Sequence, residues 1–206
     1  AALTVAQALD IGNTRKGLKI LELGCGSAVF GATLAHADPT SSLTLVDTKP
    51  EIDRAQTTIE AVQVASRTTL IQADDWRNIE IIDISGDDVD DDSALVPQPV
   101  FDLIIISQKI HLDSLRSQTA LMKKIGALLL NRGGELVIVD VFPGQPSGTR
   151  HRELFELEFG LRHSHGQCHH PRDLESALKN AGFASVQFAH LPAEPHLYGL
   201  ILAAKG

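Results

Sequence analysis

Cysteine is scarce in this chain: Cys25 and Cys168 are the only two in 206 residues. Two cysteines supply no disulfide framework, so the sequence reads as that of a protein kept in a reducing cytoplasm. Long apolar runs are lacking too. None approaches the roughly 18 residues of a membrane span, and no basic-then-apolar leader stands at the start, so no membrane partner is expected. Positive charge is short: 18 Lys and Arg stand against 26 Asp and Glu, a formal net charge of −8. Holding a nucleic-acid backbone usually takes a basic face, so no nucleic-acid partner is expected either, and a small, mostly uncharged substrate is. There is no internal repeat. With 43% hydrophobic and 21% charged residues, the composition is that of one sizeable domain over residues 1–206.

What is present is organised around Leu18-Lys19-Ile20-Leu21-Glu22-Leu23-Gly24-Cys25-Gly26. Ile20, Leu21 and Leu23 make an apolar run of strand length, broken by Gly24 and Gly26. Glycine tolerates positive φ there and lets a ligand reach the backbone without a Cβ in the way. A helix is expected over 27–36, and its first turn offers unpaired N–H groups and the positive end of the helix dipole. A strand, a Gly-x-Gly turn and a helix start form a nucleotide-type site. The dinucleotide fingerprint needs a third glycine at position 29, where this chain has Val29. A second strand over 43–46 leads to Asp47, 21 residues past Gly26, where a carboxylate can accept from a ribose diol. Asp47 suits an NAD site equally well.

Further along, helix and strand alternate. Pro50 opens a helix to about Val64 and a third strand covers 69–72, ending in Ala73-Asp74-Asp75-Trp76. Six aspartates between Asp83 and Asp92 read as a solvated loop, since the spaced glycine and closing glutamate of an EF-hand are missing. Residues 100–106 form a nearly continuous β-branched strand, buried on both faces, with Ser107, Gln108 and His111 at its ligand-facing end. A helix is expected over 113–130, then a turn at Asn131-Arg132-Gly133-Gly134 and a fifth strand over 135–140. Residues 142–148 read as a loop, and helices are expected over 150–161 and 171–181. Strands over 185–189 and 196–203 are separated by Pro192 and Pro195, too little chain for a crossover helix, so that pair should be antiparallel. The fold class is therefore α/β: a Rossmann-like, doubly wound, mostly parallel seven-stranded sheet with a C-terminal antiparallel hairpin.

Glu22, Gly24 and Gly26, with Ala28 in the third glycine slot, resemble the first motif of class I S-adenosylmethionine (SAM)-dependent methyltransferases. With Asp47, Ala73-Asp74, the Asn131–Asp140 stretch, His170–Leu174 and Ala181-Gly182-Phe183, the chain is similar to the O-methyltransferase family that includes plant phenolic and acetylserotonin methyltransferases. The resemblance implies SAM as cofactor and methyl transfer to a hydroxyl of a small, aromatic metabolite. It implies cofactor contacts at Glu22, Gly24, Gly26, Asp47, Asp74, Asp75, Trp76 and Ser107, with Asp74 on the adenine amino group and Trp76 against the ring. Nitrogen methyltransferases carry Asn/Asp-Pro-Pro-Tyr/Phe where this chain has Ser107-Gln108-Lys109-Ile110, which argues against them. The family's general base is a histidine followed by aspartate; His111 falls near that slot but precedes Leu112-Asp113. A neutral imidazole is chemically suited to take a phenolic proton. The family also implies an N-terminal dimerisation region, so the pocket is expected to be completed by a second copy or by further chain.

Two other readings stay open. A SAM-binding domain without its own catalysis would keep the glycine turn and lose the acceptor side, and an NAD-dependent oxidoreductase would share Asp47. The cluster His163, His165, Cys168, His169 and His170 could hold zinc, copper or nickel, but it lacks an established finger spacing. It aligns with an ordinary loop in the family, where its histidines would line the acceptor pocket or be solvated, so no metal is expected.

Overall fold

The computed structural model describes residues 1–78, 101–143, 149–163, 166–192 and 198–206. The aspartate run, Val100, His165, Pro195 and His196 lie outside the described residues, as does most of the loop expected over 142–148.

The elements in order are α1 (Ala2–Ala8), β1 (Lys19–Leu23), α2 (Val29–Ala37), β2 (Ser42–Asp47), α3 (Lys49–Ala61) and β3 (Thr68–Gln72). Then come β4 (Phe101–Ser107), α4 (Leu115–Lys124), β5 (Leu130–Val141), α5 (Thr149–Arg162), α6 (Pro171–Asn180), β6 (Phe183–His190) and β7 (Tyr198–Lys205). The seven strands make one sheet in the order β3-β2-β1-β4-β5-β7-β6. The first five are parallel, and β7 runs antiparallel to both β5 and β6. The expected sheet and its antiparallel end are thus present, and β7 is inserted between β5 and β6.

The strand alternation sorts the core onto two faces. Ile20, Leu103, Ile105, Val137 and Val139 pack with Phe30, Leu34, Ile52 and Ile59 from α2 and α3. Leu21, Leu23, Ile104, Ile106, Leu136 and Ile138 pack with Met122 and Ile125 and with Leu174 and Leu178 of α6. Burying each such side chain contributes about 1.5–3 kcal/mol before the entropy of ordering it. The central strands are therefore the rigid frame from which the ligand-facing loops project.

Several expectations shift at the element ends. Helix α2 starts at Val29 rather than Ser27, because Ala28 sits at φ 57° in the left-handed region and cannot belong to the helix. Helix α3 stops at Ala61 rather than about Val64, and Gln63 at φ 61° turns the chain toward β3. Strand β5 begins at Leu130 and absorbs the expected turn. Phe101 pairs with Leu130 and Leu103 with Glu135, so Asn131–Gly134 form a bulge in β5, with Gly133 at φ 77°. The helix expected over 113–130 is divided: a 3₁₀ turn at Ile110–Leu112, Ser114 accepting from the Ser117 N–H as N-cap, α4, and a wider π-type turn over Ile125–Leu129.

Candidate active site

Between β1 and β4 the strand order reverses, and the crevice at the carboxyl ends of these strands is where such sheets bind ligands. A cleft of about 450 Å³ opens there, walled among others by Gly24, Gly26, Ser27, Ser107, Lys109 and Tyr198. That volume lies within the range of small-molecule sites, roughly 300–1,000 Å³.

The glycine turn is tied to β2. The Gly24 N–H donates to the Val46 carbonyl at 2.9 Å, and the Gly26 N–H donates to Asp47 Oδ2 at 2.8 Å. Gly24 holds φ 66°, and a Cβ on it would lie 2.9 Å from Trp76 Cε2 and 3.2 Å from Lys109 Cε. Indole, lysine stem and bare backbone therefore meet at one point, which no other residue type would allow. Asp47 is 2% exposed: its Oδ1 accepts from the Thr48 N–H at 2.8 Å, and Lys109 Nζ stands 3.7 Å from its Oδ2.

Glu22 is fully buried beneath the turn and does not reach the cleft wall. Its Oε2 accepts from the Gly31 N–H at 2.9 Å and its Oε1 from Ser107 Oγ–H at 2.8 Å. Burial pushes its carboxyl up to about 7, against the lowering effect of those two bonds and of Lys109. Glu22 so braces α2 and β4 under the loop. Cys25 has its thiol raised well above the usual range, first by burial and then by the charges of Glu22 and Asp47, which disfavours the thiolate.

The acidic segment after β3 divides differently. Asp74 is exposed. Asp75 is engaged by Arg77, whose Nε stands 2.8 Å from its Oδ1 and whose hydrogen bonds hold the Asp75 carboxyl below its ordinary value; Arg77 also pairs with Asp113. Trp76 is buried against Gly24 with Leu21, Leu23 and Val46. Of the anticipated cofactor residues, the cleft wall itself includes Gly24, Gly26 and Ser107. Asp47 and Trp76 stand directly behind the two glycines, Glu22 is buried beneath the turn, Asp75 pairs with Arg77, and Asp74 is exposed beside them in sequence.

His111 lies two residues beyond Lys109, on the 3₁₀ turn and outside the cleft wall. It is 8% exposed. Its Nδ1 is 2.8 Å from Asp140 Oδ1 and 3.0 Å from Oδ2. The Asp140 carboxylate also accepts from the backbone N–H groups of Ile110 at 3.0 Å and Val141 at 2.8 Å. A carboxylate can only accept, so Nδ1 is the donor, and in the neutral imidazole the lone pair is then on Nε2. The Phe159 ring of α5 stacks on the imidazole, centroids 3.7 Å apart and planes 12° from parallel.

Sequence reasoning missed Asp140, Lys109, Phe159 and Gly31. Asp140 had a usable signal, since it ends a buried strand as Asp47 does. The histidine cluster is spread apart. His169 Nε2–H donates to the Asp113 carbonyl at 2.8 Å, and His170 Nδ1 accepts from the Arg172 N–H at 3.2 Å as N-cap of α6. His163 is exposed, and among the described residues no group of three or more His, Cys, Asp or Glu comes together. Nor is any described helix long and apolar enough to cross a membrane.

Comparison with known proteins agrees with this fold. No curated protein matches the sequence. A solved structure of a candidate O-methyltransferase from Nostoc punctiforme superposes with TM-score 0.80 at 21% identity, covering 99% of this chain and 55% of that one. Human N-acetylserotonin methyltransferase in complex with SAM gives 0.71 at 20% identity, with 100% and 51% covered. An O-methyltransferase family 2 protein from Planctomyces limnophilus in complex with apigenin gives 0.76 at 21%, with 100% and 56% covered. The chain thus spans about half the length of the solved proteins it resembles. The profile of the methyltransferase domain family matches residues 2–187, and the chain belongs to that family.

Proposed function

We propose that this chain is the catalytic region of a SAM-dependent O-methyltransferase acting on a hydroxyl of a small aromatic metabolite, with His111 as general base. The carrying observation is the His111–Asp140 pair, which fixes the proton on Nδ1 and leaves Nε2 to accept. The fit of the cofactor rests on the crevice of about 450 Å³ at the switch point and on the backbone of Gly24 and Gly26 within it. Gly24, Gly26 and Ser107 would hold SAM, with Asp47 behind them for the ribose diol and Trp76 for the adenine face. Bound there, SAM supplies an electrophilic methyl group.

The chain's own part is to place the acceptor and take its proton. An acceptor O–H bonded to His111 Nε2 gives up its proton to that nitrogen as the oxygen becomes methylated. Asp140 then faces an imidazolium, and its charge favours the proton transfer. Tyr198 lies on the cleft wall, and burial together with the Asp140 charge raises its hydroxyl above its ordinary value. Helix α5 leaves Leu154, Leu157 and Leu161 exposed on a different face from Phe159. This supports an acceptor pocket completed by further protein, either a second copy or an additional region, and the mass in solution by light scattering tells the first from the second.

The test is a panel of hydroxylated aromatics incubated with SAM, with methylated products read by mass spectrometry. A methyl ether formed at a phenolic oxygen is the expected outcome. SAM binding with no product from any acceptor, in the full-length protein, would instead favour a cofactor-binding domain without catalysis. His111 standing outside the cleft wall is the observation that keeps this second reading in play.

A further inference from the structure

We propose that Phe159 is a positioning residue for His111, the clamp that holds the imidazole in the plane from which Asp140 can select its tautomer. The inference rests on reading His111 as the base. Asp140 grips the ring at one edge, through Nδ1, and an edge contact alone leaves the ring able to rotate about its Cβ–Cγ bond and break that hydrogen bond. A parallel ring 3.7 Å above the imidazole face removes that freedom. Phe159 is itself fixed. Phe155 packs against it at 5.7 Å, and the His163 N–H donates to its carbonyl at 2.9 Å. Gly166 comes so close that a Cβ there would lie 2.5 Å from the Phe159 carbonyl oxygen.

The chain that follows grips the same turn. The Gln167 N–H donates to the His111 carbonyl at 2.9 Å, and His169 Nε2–H donates to the carbonyls of Asp113 at 2.8 Å and Ile110 at 3.1 Å. One stretch, from Phe159 to His169, therefore holds the face of His111, its own carbonyl and the turn on either side. Phe159 is also the one buried large apolar side chain of α5 among the described residues, while Leu154, Leu157 and Leu161 are exposed. Anchoring the helix to the sheet would be met by any apolar side chain at 159; the near-parallel stack on a histidine is what points to a positioning role.

The experiment reads the His111 nitrogens directly, in uniformly ¹⁵N-labelled protein, by the two-bond couplings of the imidazole. The His111 signals are assigned by their loss in His111→Gln. The wild type should show one tautomer, protonated at Nδ1. Phe159→Leu should mix the tautomers, drawing the two nitrogen shifts toward each other, while Phe159→Tyr should restore the wild-type pattern. Phe159→Met is measured alongside, so that a folding defect in the leucine variant leaves a second side chain to decide. A single Nδ1-protonated tautomer of unchanged linewidth in the folded leucine or methionine variant overturns the proposal, since Asp140 would then suffice alone. The measurement needs neither cofactor nor acceptor. Absence of methyl transfer would therefore sink the base reading without touching this result, and an unchanged spectrum would sink the clamp without touching the base.

Discussion

His111 and Asp140 are 29 residues apart in sequence and meet through Nδ1 at 2.8 Å from one carboxylate oxygen and 3.0 Å from the other. Two variants separate their roles. His111→Ala removes the proton acceptor and should lower kcat about 10²-fold or more, the usual scale of general-base catalysis. Asp140→Asn keeps the shape but replaces a pure acceptor by an amide. Nδ1 can then accept from the amide nitrogen, which moves the imidazole proton to Nε2, where it opposes acceptance. Turnover should fall while the affinity for S-adenosylhomocysteine stays within about twofold, because neither residue lies on the cleft wall. An unchanged kcat in His111→Ala returns the histidine to a purely structural role.

Glu22 makes a separate prediction about stability. Its carboxyl is raised to about 7 in the folded protein, chiefly by burial, from an ordinary value of 4.5. Between these two values the native state binds a proton that the unfolded chain has released. Stability should therefore fall as pH rises from about 4.5 to about 7 and level off above, by about 3 kcal/mol from this group. Glu22→Gln keeps an acceptor for the Gly31 N–H and an amide for Ser107 Oγ but carries no charge. Its Tm should exceed that of the wild type at pH 8, and the difference should shrink toward pH 5. A constant difference across that range would mean that Glu22 stays ionised when buried.

The sheet was legible because buried parallel strands write themselves as continuous apolar runs, and 101–107 is the clearest. Asp47 was legible by position, at a strand's carboxyl end a fixed distance past the glycines. Contacts between distant elements were not. Nothing local marks Gly31 as the point where α2 meets Glu22, although a Cβ there would lie 2.7 Å from Glu22 Oε2. Helix α5 was legible as a helix but its partner was not: its leucines Leu154, Leu157 and Leu161 are exposed, and Phe159, which stacks on His111, lies off that stripe. Ala28 departs from the glycine pattern in sequence while its backbone keeps the left-handed conformation that glycine serves, so the motif survives in geometry where it breaks in letters. Of the histidine cluster, His170 caps α6 and His169 holds the His111 turn.

The two glycines of the turn should respond differently to alanine. Both hold positive φ, 66° at Gly24 and 55° at Gly26, which costs an L-residue about 1–2 kcal/mol. At Gly24 the new Cβ would also lie 2.9 Å from the Trp76 indole, whereas at Gly26 it would meet only Glu51 Oε2, at 4.0 Å. Gly24→Ala should therefore lower Tm further than Gly26→Ala, each kcal/mol being worth about 2–4 °C in a chain of this size. Equal losses in differential scanning calorimetry would show that backbone conformation alone governs the turn and that Trp76 yields freely.

Asp47 joins the cofactor proposal to the geometry of the turn. Its two oxygens accept from the Gly26 and Thr48 N–H groups at 2.8 Å each, and their remaining lone pairs are those a ribose diol would use. Asp47→Ala should weaken S-adenosylhomocysteine binding by about 1–3 kcal/mol, the scale of hydrogen bonds to a charged group. Part of that loss would come from the Gly26 N–H, released from its acceptor. Asp47→Asn separates the parts: its amide oxygen can still take the Gly26 N–H, while its NH₂ group can only donate and meets the Thr48 N–H unfavourably. It should fall between wild type and the alanine variant. Isothermal calorimetry with S-adenosylhomocysteine and with NADH, on wild type and both variants, reads all of this at once. Binding of NADH alone by the wild type would overturn the methyltransferase reading of the cleft. Equal affinity of all three proteins for S-adenosylhomocysteine would leave the cofactor in place and remove Asp47 from its site.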